Sequence, residues 1–127
     1  GRGTEAPFEI FGHPLMSGCD FSFTPQPNAG SKNPPHNGVV CYGVDLREVA
    51  DEDIWAEGIN IGYVVDAYHN LAIGEEFFKP MFEKLIGVGW VREMIVAGAT
   101  AEEIEARWAS DVEEFKLLRK RYLLYKE

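Results

Sequence analysis

Twenty-one carboxylates, three histidines and two cysteines are the side chains with which this 127-residue chain could hydrolyse a bond, hold a metal or attack an electrophile. Cleavage of a glycosidic bond ordinarily takes two carboxyl groups about 5 to 10 Å apart, one of them with a raised pKa. Here most of the acids fall on the exteriors of expected helices or in turns, and no spacing singles out a pair. No catalytic residue is therefore assigned to the chain. His13, His36 and His69 are scattered, without the His/Cys/Asp spacing of a zinc or iron site, so no metal is implied. No GxSxG sequence or Cys/His pairing stands in a strand-turn-helix setting, and no phosphate-cradling glycine loop follows a strand. No cofactor is expected. The acidic run Asp51-Glu52-Asp53 reads as a solvated turn before a helix.

Five polar side chains in loops or at element starts remain as candidates for substrate binding: Arg2, Thr4, Lys32, Tyr42 and Arg92. Arg92 interrupts the otherwise apolar stretch GVGWVREMIVAG, and a partly buried guanidinium calls for a carboxylate partner. That partner is either an internal acid or the carboxylate of a ligand. Lys32 is the one Lys or Arg in a long segment, Thr24 to Gly38, with four prolines, two glycines and three asparagines. A loop of this length in a compact domain is an ordered excursion, a linker or a site loop.

The elements that must position these residues change character midway. Pro7 to Phe11 and Cys19 to Phe23 alternate apolar and polar positions, as strands with one buried face do. Val39 to Leu46 is more continuously apolar and is expected to be a central strand covered on both faces. From Glu57 to Leu71 apolar residues recur at helical spacing, and Phe77 to Ile86 and Trp90 to Ala97 present further packing faces, with Gly98 as a stop. Thr100 and Glu103 form a Thr-x-x-Glu capping box ahead of Ile104, Trp108, Val112, Phe115, Leu118 and Tyr122 at steps of three or four. The fold class expected is α+β: a small N-terminal sheet of about three strands covered by three to four helices, ending in a long amphipathic helix, all within one domain, 1–127.

Composition narrows the partners. Hydrophobic residues at 46% and charged residues at 26% describe a folding chain rather than a disordered one. A formal net charge of −9 opposes sequence-independent nucleic-acid binding, which needs cations to displace counterions from phosphates. It also opposes an anionic membrane surface, and no apolar run approaches the ~20 residues that span a bilayer. Cys19 and Cys41 pair in an oxidising compartment or remain buried thiols. The chain opens on Gly1 and Arg2 without an initiator Met, and so reads as part of something longer.

Several of these residues, taken in order, resemble the C-terminal domain of the NamZ family of peptidoglycan exo-β-N-acetylmuramidases. They are Gly1-Arg2-Gly3-Thr4, Pro7-Phe8-Glu9, Gly12 with Pro14, Phe23 with Pro25, Ser31-Lys32, Cys41-Tyr42-Gly43-Val44, Arg92, Gly98, Trp108, Phe115, Arg119 and Tyr122-Leu123-Leu124-Tyr125. The resemblance runs the whole length and is strongest at its two ends. It implies an N-terminal Rossmann-like catalytic domain of the same polypeptide as partner, a peptidoglycan-derived glycan as substrate, and an exported location in bacteria. The domain would complete the cleft and be inactive alone. Muramic acid carries a lactyl carboxylate, which Arg2, Lys32 or Arg92 could meet with charge-assisted hydrogen bonds. Leu15 and His13 depart from the family's usual residues at the Gly-x-Pro turn. The competing reading is a non-catalytic peptidoglycan-binding or domain-docking module; the fall of most aromatics on expected core stripes disfavours binding.

Overall fold

The structure, a computed structural model, describes residues 1–125. The chain forms two compact units, one of Gly1–Ile59 with His69–Ala72, the other of Asn60–Tyr68 with Ile73 onward. The first carries the sheet and the second the helical core, and together they make the chain α+β.

In the first unit, β1 (Ile10–His13), β3 (Cys41–Asp45) and β2 (Phe21–Phe23) form an antiparallel sheet in the order β1-β3-β2. The strand expected at the centre is there. Its burial alternates instead of being continuous: Cys41 and Gly43 are buried while Tyr42 is exposed, and Val39 and Val40 just before it are exposed as well. The apolar run is thus not a strand covered on both faces, because its outward positions are themselves apolar. Gly43 lies opposite Gly12 on one side and Phe21 on the other. The strands approach so closely that a Cβ on Gly43 would run into the Phe11 carbonyl and lie 2.6 Å from the Gly12 Cα.

The first strand also begins later than its alternation indicates. Ala6 to Glu9 is a turn, closed by the Glu9 N–H donating to the Ala6 carbonyl at 3.3 Å. Pro7 pre-sets the first central position, and Phe8 follows at φ 73° in the pattern of a type II turn. The long segment after β2 is an ordered excursion. The Gln26 N–H donates to the Gly3 carbonyl at 2.8 Å and the Gly38 N–H to the Pro25 carbonyl at 2.9 Å. Asn70 grips Ser17 with a reciprocal pair, its Oδ1 accepting from the Ser17 N–H at 3.0 Å and its Nδ2 donating to the Ser17 carbonyl at 2.9 Å.

The acidic run is not a turn: α1 (Asp51–Glu57) starts on it, with Asp51, Glu52 and Asp53 in the first turn. Negative charge there opposes the positive end of the helix macrodipole, which is the reason it can sit in a helix that buries none of its residues. Cys19 and Cys41 are both free thiols, Cys41 fully buried.

The second unit contains most of α2 (Gly62–Leu71), a 3-10 turn at Gly74–Phe77, α3 (Phe82–Ile86), α4 (Trp90–Val96) and α5 (Ala101–Arg119). The α2 helix starts five residues later than expected. Gly58 at φ 68° ends α1, and Asn60 Oδ1 then accepts the Gly62 N–H at 2.9 Å. With α1 counted, the described residues hold five α-helices rather than three or four. Ile61, Val65, Val91, Ile95 and Ile104 are the buried centre, with Phe78, Phe82, Trp90 and Trp108 packed around them. Deleting side-chain volume at such sites costs about 2–5 kcal/mol for Ile→Ala.

The capping box of α5 is present in full: Thr100 Oγ1 accepts the Glu103 N–H at 3.3 Å and Glu103 Oε2 accepts the Thr100 N–H at 2.9 Å. The stripe that follows departs from its expected burial. Ile104 is buried and Trp108 half-buried, but Val112, Phe115, Leu118 and Tyr122 are exposed. Periodicity reports which residues share a face, not whether something lies against that face.

The glycine contact in the sheet yields the first prediction. Gly43→Ala must push β1 away from β3, and a destabilisation of at least ~3 kcal/mol is expected from such overpacking. Urea unfolding measures it; a midpoint unchanged by the substitution would contradict the described strand spacing.

Candidate functional site

A concavity of the first unit lies where the N-terminal turns meet the loop after β2. Its floor is held by backbone geometry. The Gly1 nitrogen donates to the Ile10 carbonyl at 2.6 Å, and the Thr4 hydroxyl donates to the Gly1 carbonyl at 2.6 Å while accepting the Ala6 N–H at 3.2 Å. Gly3 sits at φ 82°, with no room for a side chain: a Cβ there would lie 2.5 Å from that of buried Pro34. Asn28 fastens the opposite wall. Its Nδ2 donates to the Thr4 carbonyl at 3.1 Å, and its Oδ1 accepts the Gly30 and Ser31 N–H groups at 3.0 and 2.8 Å.

The result is a groove of about 770 Å³, within the ~300–1,000 Å³ typical of small-ligand sites. Arg2, Thr4, Phe8, Asn28, Ala29 and Ser31 are among its lining residues. Arg2 is exposed and enters none of the ion pairs among the described residues. Phe8 stands 99% exposed at the groove, in a backbone conformation that favours glycine or asparagine. Holding a bulky residue there costs on the order of 1 kcal/mol. Sequence periodicity missed Phe8 by reading it as a strand position; the Pro7 that opens the turn was the available signal.

The five sequence candidates do not converge. Arg2 and Thr4 line the groove together, though the Thr4 hydroxyl is committed to the turn that shapes it. Lys32 is exposed and directly follows the lining residue Ser31. Tyr42 projects from β3 with 43% of its surface exposed, opposite His13 and Ser22 in the sheet register. Arg92 belongs to the second unit. There its guanidinium Nε donates to Glu83 Oε1 at 2.6 Å, and Nη1 lies 3.6 Å from Glu75 Oε2, in a shallow pocket of about 280 Å³. Its carboxylate partners are internal, and the Glu83 hydrogen bond raises its pKa further.

Two pairs of polar side chains lie at the sheet. At the end of β3, Asp45 accepts from Arg47 Nε at 2.8 Å and from its Nη2, and these bonds hold the carboxyl at a pKa of about 2. His13 and His36 meet edge to face with ring centroids 4.6 Å apart. His13 Nδ1 accepts the Leu15 N–H at 3.1 Å, and burial, then the proximity of His36, lowers the His13 pKa. Among the described residues no group of three or more His, Cys, Asp or Glu could hold a metal ion, and no helix is long and apolar enough to cross a membrane. Exposed aromatics are more common than helical periodicity implied: besides Phe8, Trp55 is 86% exposed and Phe115 58%.

The fold is thus α+β, with a glycine-shaped groove beside its N-terminal turns. Residues 1–125 match the family model described as exo-beta-N-acetylmuramidase NamZ, C-terminal, and the chain belongs to that family. It is 33% identical over 139 aligned positions to the peptidoglycan beta-N-acetylmuramidase NamZ of Bacillus subtilis (strain 168), an alignment taking in 98% of this chain and 33% of that protein. It also superposes with a TM-score of 0.96 on the crystal structure of a DUF1343 family protein from Bacteroides fragilis NCTC 9343. The two are 53% identical, over 100% of this chain and 36% of that one. The chain thus spans about a third of the length of either relative.

The histidine pair gives a prediction with a defined sign. Because the folded-state pKa of His13 lies below the ordinary 6.5, its contribution to stability is complete above that pH and is lost as pH falls through the folded value. His36→Asn, which keeps a residue tolerant of the φ 56° at that position, should raise the His13 pKa while burial still holds it below 6.5. Imidazole NMR titration reads both values; a wild-type His13 titrating at or above 6.5 would contradict the geometry.

Proposed function

We propose that this chain is the auxiliary C-terminal domain of a glycoside hydrolase that releases N-acetylmuramic acid from the non-reducing ends of peptidoglycan fragments. The observation that carries the reading is the family match over residues 1–125, together with a relative that bears this activity in its name and is three times as long. The catalytic carboxylates then belong to the part of such a polypeptide that precedes this domain, and the domain completes the cleft. Location outside the cytoplasm, where peptidoglycan lies, follows from that substrate. The apolar side chains that α5 leaves exposed, Phe115 and Leu118 among them, supply a surface on which the catalytic domain could pack.

Within this reading Arg2 and Lys32 are the candidates for the lactyl carboxylate, since both are exposed and neither is in an ion pair among the described residues. Arg92, engaged by Glu83 and Glu75, has the least to offer a ligand. A second reading, a glycan-binding module without chemistry, gains from the exposure of Phe8 and Trp55.

Release of N-acetylmuramic acid from a chromogenic glycoside separates the two. The full-length polypeptide should turn it over and the 127-residue chain alone should not. In the full-length enzyme, Arg2→Ala or Lys32→Ala should raise KM for the muramic acid glycoside by roughly tenfold, the worth of one charge-assisted hydrogen bond, and leave the glucosamine counterpart nearly unchanged. Activity of the isolated chain would move the catalytic groups into it, and equal effects on both glycosides would remove the carboxylate role.

A further inference from the structure

We infer that Phe8 is a stacking platform for a pyranose ring, and that the groove beside it is a glycan subsite carried entirely by this domain. The inference rests on the peptidoglycan reading for the identity of the sugar, but its structural basis is separate. Three observations converge on Phe8. It occupies the third position of the Ala6–Glu9 turn at φ 73°, where glycine would be relaxed and an aromatic is strained. Its ring is 99% exposed, so within this domain the fold receives no burial in exchange. And it belongs to the lining of the groove of about 770 Å³ that also presents Arg2, Thr4 and Ser31.

A pyranose has the complementary build. One face of the ring is a row of C–H groups, slightly positive and suited to the negative face of an aromatic quadrupole, while its edge carries hydroxyl, amide and, in muramic acid, carboxylate groups. Phe8 would meet the C–H face while Arg2 stands free to receive the anionic edge, and the Asn28 clamp, whose amide is committed to the backbone, keeps the facing wall in place. The groove sets the charged Arg2 and Glu5 beside the apolar Pro7, Phe8 and Ala29, the mixture an amphipathic sugar ring calls for; burial of Phe8 by another part of the polypeptide is the alternative that the thermal midpoint of Phe8→Gly separates.

The test exploits the opposed demands of fold and ligand on this one residue. In the full-length polypeptide, Phe8→Gly relaxes the turn and removes the platform, whereas Phe8→Trp keeps the platform. Affinity for the N-acetylmuramic acid–N-acetylglucosamine disaccharide, measured by calorimetry on protein that is not turning over, should fall about 3- to 10-fold in Phe8→Gly and be retained in Phe8→Trp. The thermal midpoint of Phe8→Gly should be unchanged or higher. Wild-type affinity in Phe8→Gly, or no disaccharide binding by the wild type, overturns the inference. So does a lowered midpoint in Phe8→Gly, which would make Phe8 a packing residue against the rest of the polypeptide. Wild-type protein that binds the disaccharide through Phe8 yet releases no N-acetylmuramic acid would refute the hydrolase reading and leave this one standing.

Discussion

Two glycines facing each other across β1 and β3 set the spacing on which the first unit depends. With Gly12 opposite Gly43, the strands close to a distance at which a methyl group on Gly43 has no place. That approach fixes where β1 runs, and β1 in turn anchors the N-terminal turns: Ile10 accepts from the Gly1 nitrogen, and Glu9 accepts from the Leu46 N–H just beyond β3 at 2.8 Å. The groove is therefore a consequence of sheet geometry. Its walls are backbone held by backbone, with Thr4 and Asn28 spending their polar groups on shape. This is a rigid way to build a site, since few side-chain rotamers need to be frozen when a ligand enters.

The second unit rests on a different principle. Five buried aliphatic residues from three helices and the turn before α2 form its centre, and the rings of Tyr68, Phe77, Phe78 and Phe82 pack against one another in a chain, mostly tilted or edge to face, with centroids 4.8 to 5.6 Å apart. Arg107 lies over the Trp90 ring at 4.3 Å, and Arg92 ties α4 to Glu83 of α3. Charge here serves the fold. The one arginine that sequence placed in an apolar context found its carboxylates within the unit, as a buried or half-buried guanidinium must if it is not to lose its hydration uncompensated.

Much of this was legible in the order of residues. Local rules sufficed where the signal was local: the Thr100 and Glu103 box, the Gly98 stop and the alternation ending at Phe23 each became what they indicate. Errors arose where the outcome turns on what lies opposite. Val112, Phe115 and Leu118 keep helical period but remain exposed, and Tyr42 is exposed on an apolar strand. The acidic run opens a helix because dipole and charge agree there. As for the candidate site, Arg2 and Thr4 were identifiable as residue types, but their meeting with Asn28 and Ser31 needs a chain reversal of more than twenty residues that no periodicity encodes. Phe8 was hidden because a strained exposed aromatic looks, in sequence, like any other apolar residue.

The central claim is that the N-terminal groove of this domain is where the glycan sits. Backbone amide shifts of the isotopically labelled protein, followed while N-acetylmuramic acid is added, test it most directly. Perturbations confined to Arg2, Thr4, Phe8 and Asn28 to Ser31 are the predicted result. Perturbations centred instead on Glu75, Glu83 and Arg92, or none at saturating sugar, would contradict it.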